Sequence, residues 1–296
     1  MEAQKTMGQC GFDKLFTKSV PHILEKIFFS LDYASFKTCM EVNTVWHELL
    51  TSESLKRLGK SMFREDIDRE LWHAVGLGNE QEVRRVLSCG MVDVNCTDKN
   101  NCTPLLFAVE KGFKDVVQLL LEEGADARMA NKGTFEYWSP LHVAASRGNN
   151  LYQEVAHLLL EGGAEPNMRD GFGRTPLHWA SHPCVAKLLL DRGADLNIQC
   201  QLGYTPLTMA AMKGYIDVVK FLLESGADPN MANHYGETPL HMASLYGYKD
   251  ITQILFDDGA EINMSTHTGH TPLGYATLGM IHTDIVNFLT ENGGTE

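Results

Sequence analysis

The chain has 296 residues, 44% hydrophobic and 21% charged, which is the composition of a folded globular protein and excludes a mainly disordered chain. Its 25 basic and 38 acidic residues give a formal net charge of −13, which argues against nucleic acid as a partner because nucleic-acid-binding surfaces are usually basic. There is no apolar run of the roughly 18–20 residues that a membrane helix needs, no signal-peptide core and no Cys-x-x-Cys pair among the seven cysteines. We therefore expect a reduced cytoplasmic or nuclear protein without membrane contact.

Residues 1–19 are predicted to form an N-terminal tail, and residues 20–50 a small group of helices. Ile23, Ile27 and Leu31 share one helical face, and Val45 and Trp46 belong to a later apolar segment. Because about forty residues cannot cover this much apolar surface by themselves, we expect a partner to cover it.

Residues 20–50 resemble an F-box. The likeness rests on Val20-Pro21, Ile23-Leu24-Glu25-Lys26-Ile27-Phe28, Leu31-Asp32, Phe36, Val42, Val45-Trp46 and Leu49-Leu50. The opening departs from the family pattern, because it lacks the glutamate of the usual Leu-Pro-x-Glu start. The resemblance implies docking on the adaptor subunit and cullin of an SCF-type cullin–RING ubiquitin ligase. The residues expected to carry that apolar contact are Pro21, Ile23, Leu24, Ile27, Leu31, Val42 and Trp46. The alternative is a three-helix cap packed on the repeats that follow.

Residues 51–69 are predicted to form a linker helix and a stiff junction, because the segment is not rich in Gly, Pro or Ser. Residues 1–69 carry ten basic and ten acidic residues, so the whole net charge of −13 lies in residues 70–296.

From residue 70 onward the sequence is periodic. The tripeptide Thr/Ser-Pro-Leu begins at Thr103, Ser139, Thr175, Thr205, Thr238 and Thr271, with spacings of 36, 36, 30, 33 and 33 residues. A Gly-Ala-Asp or Gly-Ala-Glu sequence follows about 21 residues later in five of these units. Thr or Ser can cap a helix whose first residue is Pro, and Gly can end the second helix. One such helix pair cannot bury its own apolar faces, so the pairs must stack.

These units resemble ankyrin repeats, most closely at Thr175-Pro176-Leu177-His178 and Thr238-Pro239-Leu240-His241. A degenerate first unit without the Thr-Pro start fits residues 70–100. The predicted fold is all-α, a short helical F-box followed by an ankyrin-repeat solenoid of about seven helix-pair units. The approximate bounds of the units are 70–100, 101–136, 137–172, 173–202, 203–235, 236–268 and 269–296.

Two units depart from the regular length. The unit that begins at Ser139 has extra residues near 149–152, predicted to lie between its helices, and the unit that begins at Thr175 lacks three residues near Ser181-His182-Pro183. We expect one shallow or kinked step in the surface there.

No motif for catalysis or for a cofactor is present, and an enzyme is not expected. His142, His178 and His241 recur at one repeat position, where we expect them to brace the turns by hydrogen bonds. His178, His182 and Cys184 have a spacing that also suggests a metal site, but Pro183 interrupts the helix that would align them, so we predict no metal.

The ankyrin resemblance implies that a target protein binds at the turn tips and on the exposed side of the first helices. The side chains expected there are Phe135, Tyr137, Trp138, Arg147, Phe172, Arg174, Tyr204, Met212, Tyr235 and Tyr246. The alternative for each is packing between adjacent units. An acidic array favours a target with a basic surface.

Together, the two resemblances imply a substrate-recognition subunit of an SCF-type ligase, with the F-box on the adaptor and the array on a target for ubiquitination. The alternative is a non-catalytic scaffold or inhibitor that recruits no ligase. A SOCS-box adaptor is less favoured, because that class expects a box after the last repeat.

The sequence generates one direct prediction. Three extra residues in the turn before Ser139 create a finger that contains Phe135, Tyr137 and Trp138. Replacing these three by Ser should abolish partner capture without lowering the melting temperature, and an unchanged pull-down would contradict this.

Overall fold

The computed structural model describes residues 32, 34–35, 53–131, 136–278 and 282–296, and within these ranges all regular structure is helical. The seven adaptor-binding residues predicted within residues 20–50 lie outside the described residues, and so does Phe135. The described part of the chain divides into two compact units, with the boundary between Asp93 and Val94.

Between residues 53 and 93, the described part of the first unit forms two helices, α1 (Glu53–Gly76) and α2 (Glu80–Ser88). Helix α1 is kinked at Phe63, whose φ and ψ of −119° and 19° are not helical. Helix α1 overlaps the segment 51–69, for which a linker helix is predicted, and continues past residue 70 into the first predicted repeat. Asn79 caps α2 by accepting a hydrogen bond from the backbone N–H of Glu82 at 3.2 Å.

The second unit contains twelve described helices in six pairs. Their bounds are α3 Pro104–Lys111, α4 Lys114–Glu122, α5 Pro140–Arg147, α6 Asn150–Glu161, α7 Pro176–Trp179, α8 Pro183–Asp191, α9 Pro206–Lys213, α10 Ile216–Glu224, α11 Pro239–Tyr246, α12 Lys249–Asp257, α13 Pro272–Leu278 and α14 Thr283–Glu291. The predicted Thr/Ser-Pro starts are confirmed, because Pro is the first residue of each of the six first helices.

The helices form two layers. First helices pack on the first helices of neighbouring pairs, and second helices pack on second helices. The leucine after each starting proline is buried at 0–7% exposure between them, and these residues are Leu105, Leu141, Leu177, Leu207, Leu240 and Leu273. No single helix pair could form this continuous core. The core therefore confirms the predicted all-α stack of helix pairs.

The recurring histidines connect one repeat to the next. In each case Nδ1 accepts a hydrogen bond from the backbone N–H of the capping Thr or Ser, so the neutral ring carries its proton on Nε2. The Nε2 of His142, His178 and His241 lies 3.0–3.1 Å from a carbonyl oxygen of the following unit. The predicted bracing role is confirmed, and it joins neighbouring repeats as well as the turn.

The two irregular units differ from their neighbours in the lengths of their helices. Helix α6 has twelve residues where α4 and α10 have nine, so the extra residues near 149–152 extend a helix. The prediction that they lie between the helices was wrong, because Asn149 caps α6 by accepting the N–H of Tyr152 at 3.1 Å. In the short unit, α7 has four residues where α5 has eight.

The buried histidines predict a pH dependence of stability. Burial lowers the pKa of His142 and His178 to about 4, below the value of about 6.5 for an exposed histidine. Between these values the unfolded chain binds more protons than the folded chain, so stability is full above pH 6.5 and falls as the pH drops towards 4. Lowering the pH from 6.5 to 4.5 should reduce the free energy of unfolding of both the wild type and His178→Gln. The reduction should be smaller for His178→Gln, by on the order of 2 kcal/mol.

Urea unfolding at both pH values measures this difference. The matched control is His267→Gln, because His267 is an exposed histidine in a turn. This control should follow the wild-type pH dependence. Equal pH dependence of His178→Gln and the wild type would contradict the prediction.

Candidate protein-binding surface

In the turns of residues 170–174 and 233–237, the side chain of the first residue accepts hydrogen bonds from backbone N–H groups of the same turn. Asp170 accepts hydrogen bonds through Oδ1 from the backbone N–H groups of Phe172 and Arg174, both at 2.9 Å. Asn233 does the same for Tyr235 and Glu237, also at 2.9 Å. These bonds fix the backbone of the turn, so the direction of the side chains between them is fixed as well.

Successive turns are joined by backbone hydrogen bonds. The N–H of His234 donates to the carbonyl of Leu202 at 3.1 Å, and the N–H of His267 donates to the carbonyl of Tyr235 at 2.9 Å. The turns approach so closely that a Cβ on Gly236 would lie 2.9 Å from the backbone nitrogen of His267. Equivalent residues in neighbouring turns therefore form a row.

That row is apolar and exposed. Phe172, Leu202 and Tyr235 occupy its successive positions and are 44%, 46% and 53% exposed. Large apolar side chains at adjacent exposed positions are typical of a surface that a partner covers. We call these three residues the tip row.

A tryptophan cluster lies where the turn of residues 170–174 meets helix α7. We define it as Trp138, Asp170, Arg174, Trp179 and Lys213. The rings of Trp138 and Trp179 meet edge to face with centroids 4.6 Å apart. The guanidinium carbon of Arg174 lies 4.3 Å from the centroid of the Trp179 ring, and Nζ of Lys213 lies 4.9 Å from it. The Nε of Arg174 also contacts Oδ2 of the fully buried Asp170 side chain at 2.7 Å.

A second cluster, the tyrosine–glutamate cluster, consists of Tyr204, Asn233, Glu237 and Tyr275. The hydroxyl of Tyr204 donates to Glu237 Oε2 at 3.2 Å, and that of Tyr275 donates to Oε1 at 2.6 Å. Burial, followed by the charge of Glu237, raises the pKa of Tyr204 to about 12. Burial and the hydrogen bond to Glu237 also raise the pKa of Tyr275. Both phenols are therefore neutral donors at pH 7.

The structure divides the predicted target-binding residues into two groups. Those with large exposed fractions are Tyr137, Arg147, Phe172, Tyr235 and Tyr246. Those that are half-buried are Trp138, Arg174, Tyr204 and Met212. Of the half-buried residues, Trp138, Arg174 and Tyr204 contact Trp179, Glu136 and Glu237 of other repeats, which agrees with the alternative of packing between units.

The set of predicted target-binding residues omitted Trp179 and Tyr275, one aromatic residue at the centre of each cluster. Counted from the Thr of the Thr-Pro-Leu start, Trp179 and Tyr275 are each the fifth residue. Met209 holds the same position after Thr205. A large ring at this repeat position was the signal available in the sequence.

The part of the chain that the structure describes contains no group of three His, Cys, Asp or Glu side chains that could hold a metal ion. His182 caps α8, because its Nδ1 accepts a hydrogen bond from the backbone N–H of Cys184 at 3.2 Å. The Nδ1 of His182 is therefore used as a helix cap through a backbone contact. None of the described helices is both long and apolar enough to cross a membrane.

Trp138 and Tyr137 are adjacent in the chain, but their replacement should change the free energy of unfolding by different amounts. Trp138→Ser should lower the free energy of unfolding by about 2 kcal/mol, because it removes half-buried ring surface and the contact with Trp179. Tyr137→Ser should change it by less than about 0.5 kcal/mol, since Tyr137 is 46% exposed. Urea unfolding of both variants tests this, and equal stability losses would contradict it. The triple replacement by Ser is therefore expected to lower the melting temperature, contrary to the prediction from sequence.

Comparisons with known proteins identify the repeats independently. The family model described as ankyrin repeats (3 copies) matches residues 71–170, 123–200, 141–233, 182–266 and 225–296. The chain is similar to the E3 ubiquitin-protein ligase Ufd4 of Drosophila melanogaster, with 37% identity over 109 residues, which is 37% of this chain and 4% of that protein.

Two further relatives show the same partial coverage. Rabankyrin-5 of Mus musculus is 32% identical over 116 residues, 36% of this chain and 10% of its own length. The human transient receptor potential cation channel subfamily A member 1 is 32% identical over 136 residues, 45% of this chain and 11% of its own length. The chain thus spans about a tenth or less of these relatives. Because the family model covers residues 71–296, the chain belongs to the ankyrin-repeat family, whose repeats bind proteins.

Proposed function

We propose that this protein is the substrate-recognition subunit of an SCF-type cullin–RING ubiquitin ligase. In this proposal residues 20–50 dock on the adaptor subunit, and the ankyrin array holds a target protein. The observation that carries the target-binding half is the tip row, in which Phe172, Leu202 and Tyr235 are exposed at successive turns joined by backbone hydrogen bonds. The ligase half is carried by the F-box resemblance of residues 20–50.

The proposed mechanism is proximity. A target held by the array is kept near the ubiquitin-transfer site of the assembled ligase, which raises its effective concentration there. In this mechanism the chain contributes the binding surfaces, and the assembled ligase carries out ubiquitin transfer. Its partners are then the adaptor, the cullin and a target protein.

The similarity to Ufd4 adds little to the ligase half of the proposal. That protein is named a ubiquitin ligase, but the match covers only 4% of it and is of the length of a few ankyrin repeats. It therefore supports the nature of the array. The relation to ubiquitin transfer rests on residues 20–50.

The cysteines support a reducing compartment, the cytoplasm or the nucleus. Four of the described cysteines, Cys89, Cys102, Cys184 and Cys200, are free thiols. Burial, the largest cause, raises the pKa of Cys102 to about 12, which keeps this thiol protonated and unreactive.

The alternative function is a scaffold or inhibitor that binds its target without recruiting a ligase. The tip row supports the scaffold function equally well, because an exposed apolar row can bind a partner with or without adaptor binding by residues 20–50. The two functions differ only in the adaptor contact, so the deciding experiment must measure that contact.

Co-purification of the full chain with adaptor and cullin tests the ligase half. We expect the wild type to retain both and Ile27→Asp or Trp46→Ala to lose them, because burying a charge or removing the indole weakens an apolar interface. The matched control is Leu77→Asp, since Leu77 is an exposed leucine outside the motif. This control should retain both subunits.

A thermal unfolding curve of each variant shows whether the array is still folded. If the wild type retains neither adaptor nor cullin, the scaffold function replaces the ligase proposal. If Leu77→Asp and Ile27→Asp lose the adaptor equally, the contact assigned to residues 20–50 is wrong.

A further inference from the structure

The charge of Arg174 is paired with an opposite charge in its turn, whereas the charge of Glu237 is not. In the turn of residues 170–174, Arg174 Nε contacts Asp170 Oδ2 at 2.7 Å, so the two charges cancel. In the turn of residues 233–237 the same positions hold Asn233 and Glu237. There the amide Nδ2 of Asn233 donates to Oε2 at 2.6 Å. Glu237 therefore faces a neutral amide where Arg174 faces an opposite charge.

The remaining described donors to Glu237 are neutral as well. They are the hydroxyls of Tyr204 and Tyr275, at 3.2 and 2.6 Å. None of the lysines and arginines in the described ranges forms an ion pair with Glu237. Three of the about four acceptor positions of this carboxylate are occupied. Glu237 is half-buried, so part of it is accessible from solvent.

The aromatic groups around the carboxylate leave its charge uncompensated. Tyr204 and Tyr275 stay protonated, because burial and the charge of Glu237 raise their pKa values. The ring of His241 lies 5.2 Å from that of Tyr275, and burial lowers the pKa of His241, so this histidine is neutral at pH 7. The cluster therefore carries one net negative charge.

Two exposed tyrosines lie close to Glu237 in the chain. Tyr235 is 53% exposed in the same turn, and Tyr246 is 48% exposed at the end of α11. Tyr246 also contributes, as the smallest cause, to the raised pKa of Tyr204, which places it within electrostatic range of the cluster. The Tyr246 ring is stacked on that of Tyr248 with centroids 6.5 Å apart, and its exposed part remains available to a ligand. A carboxylate with exposed tyrosines nearby favours a cation that can make both an ion pair and a cation–π contact.

We propose that the tyrosine–glutamate cluster, with Tyr235 and Tyr246, binds an arginine or lysine side chain of the target protein. The inference rests on the proposed target-binding role of the array and names the chemistry that it recognises. The charge of the surroundings agrees with it, because residues 70–296 carry the whole net charge of −13. The tryptophan cluster differs, since Arg174 and Lys213 of this chain already contact the Trp179 ring.

A degenerate peptide library tests the inference on the full chain. Each peptide carries one fixed central residue, Arg, Lys, Gln or Glu, between randomised positions, and the bound fraction is quantified by mass spectrometry. We expect Arg and Lys peptides to be enriched over Gln and Glu peptides. Glu237→Gln should reduce that enrichment about tenfold, because it removes the charged acceptor but keeps the shape of the side chain.

The matched control is Glu224→Gln, which removes the same charge at an exposed glutamate that ends α10. It should leave the enrichment unchanged, and an equal loss in both variants would show that only net charge matters and overturn the inference. Should Glu237→Gln not fold, Tyr246→Leu removes an exposed ring and should also lower the enrichment.

The remaining outcomes separate this inference from the proposed function. Peptide binding without preference for Arg or Lys, or with preference for Glu, overturns the cation site and leaves target binding by the array intact. Retention of no peptide overturns the cation site, while adaptor co-purification is measured independently. Loss of adaptor contact with preserved Arg or Lys enrichment overturns the ligase half alone and supports the cation site.

Discussion

Every helix pair of the array depends on its neighbours, because a pair of about twenty residues cannot bury its own apolar face. The buried leucine after each proline is covered only when the next pair packs against it. The polar bonds follow the same rule, since His178 reaches the carbonyl of Tyr204 in the following unit. Asn230 likewise accepts the N–H of Glu261 at 2.7 Å and donates to the carbonyl of Gly259 at 3.0 Å. Stability in this unit is therefore a property of interfaces between repeats.

This dependence decides where function can be placed. The capping Thr or Ser, the proline and the leucine recur in all six Thr/Ser-Pro-Leu units and serve helix starts and stacking, so they are not free to vary with the partner. The turn residues are required only through their backbone, which Asp170 or Asn233 holds equally well with the same pair of 2.9 Å bonds. The last turn residue can therefore be Arg174 in one repeat and Glu237 in another without changing the path of the chain.

Features determined by nearby residues could be predicted from the sequence, whereas contacts between repeats could not. The helix starts and the bracing histidines depend on residues within one repeat, and both were confirmed. The position of Trp138 depends on Trp179, 41 residues later, and the hydrogen bond of Tyr275 depends on Glu237, 38 residues earlier. Periodicity alone does not tell which ring fills a gap and which stays exposed. The F-box assignment remains a prediction from the pattern of residues 20–50.

The short unit shows how a deletion produces a local chemical difference. Helices α3, α5, α9 and α11 end in Lys111, Arg147, Lys213 and Tyr246, whereas α7 ends at Trp179 and has no such residue. With that turn of helix missing, Lys213 of the next repeat lies over the Trp179 ring, and Arg174 contacts the same ring. Each such contact contributes about 0.5–1 kcal/mol, and the buried Asp170 offsets the charge of Arg174. In the tryptophan cluster, the charge of Arg174 is thus paired with Asp170, and both cations of the cluster lie over the Trp179 ring. The tyrosine–glutamate cluster has a similar aromatic content, but its charge has only neutral donors. This difference in ion pairing is the reason the tyrosine–glutamate cluster, and not the tryptophan cluster, is the proposed cation site.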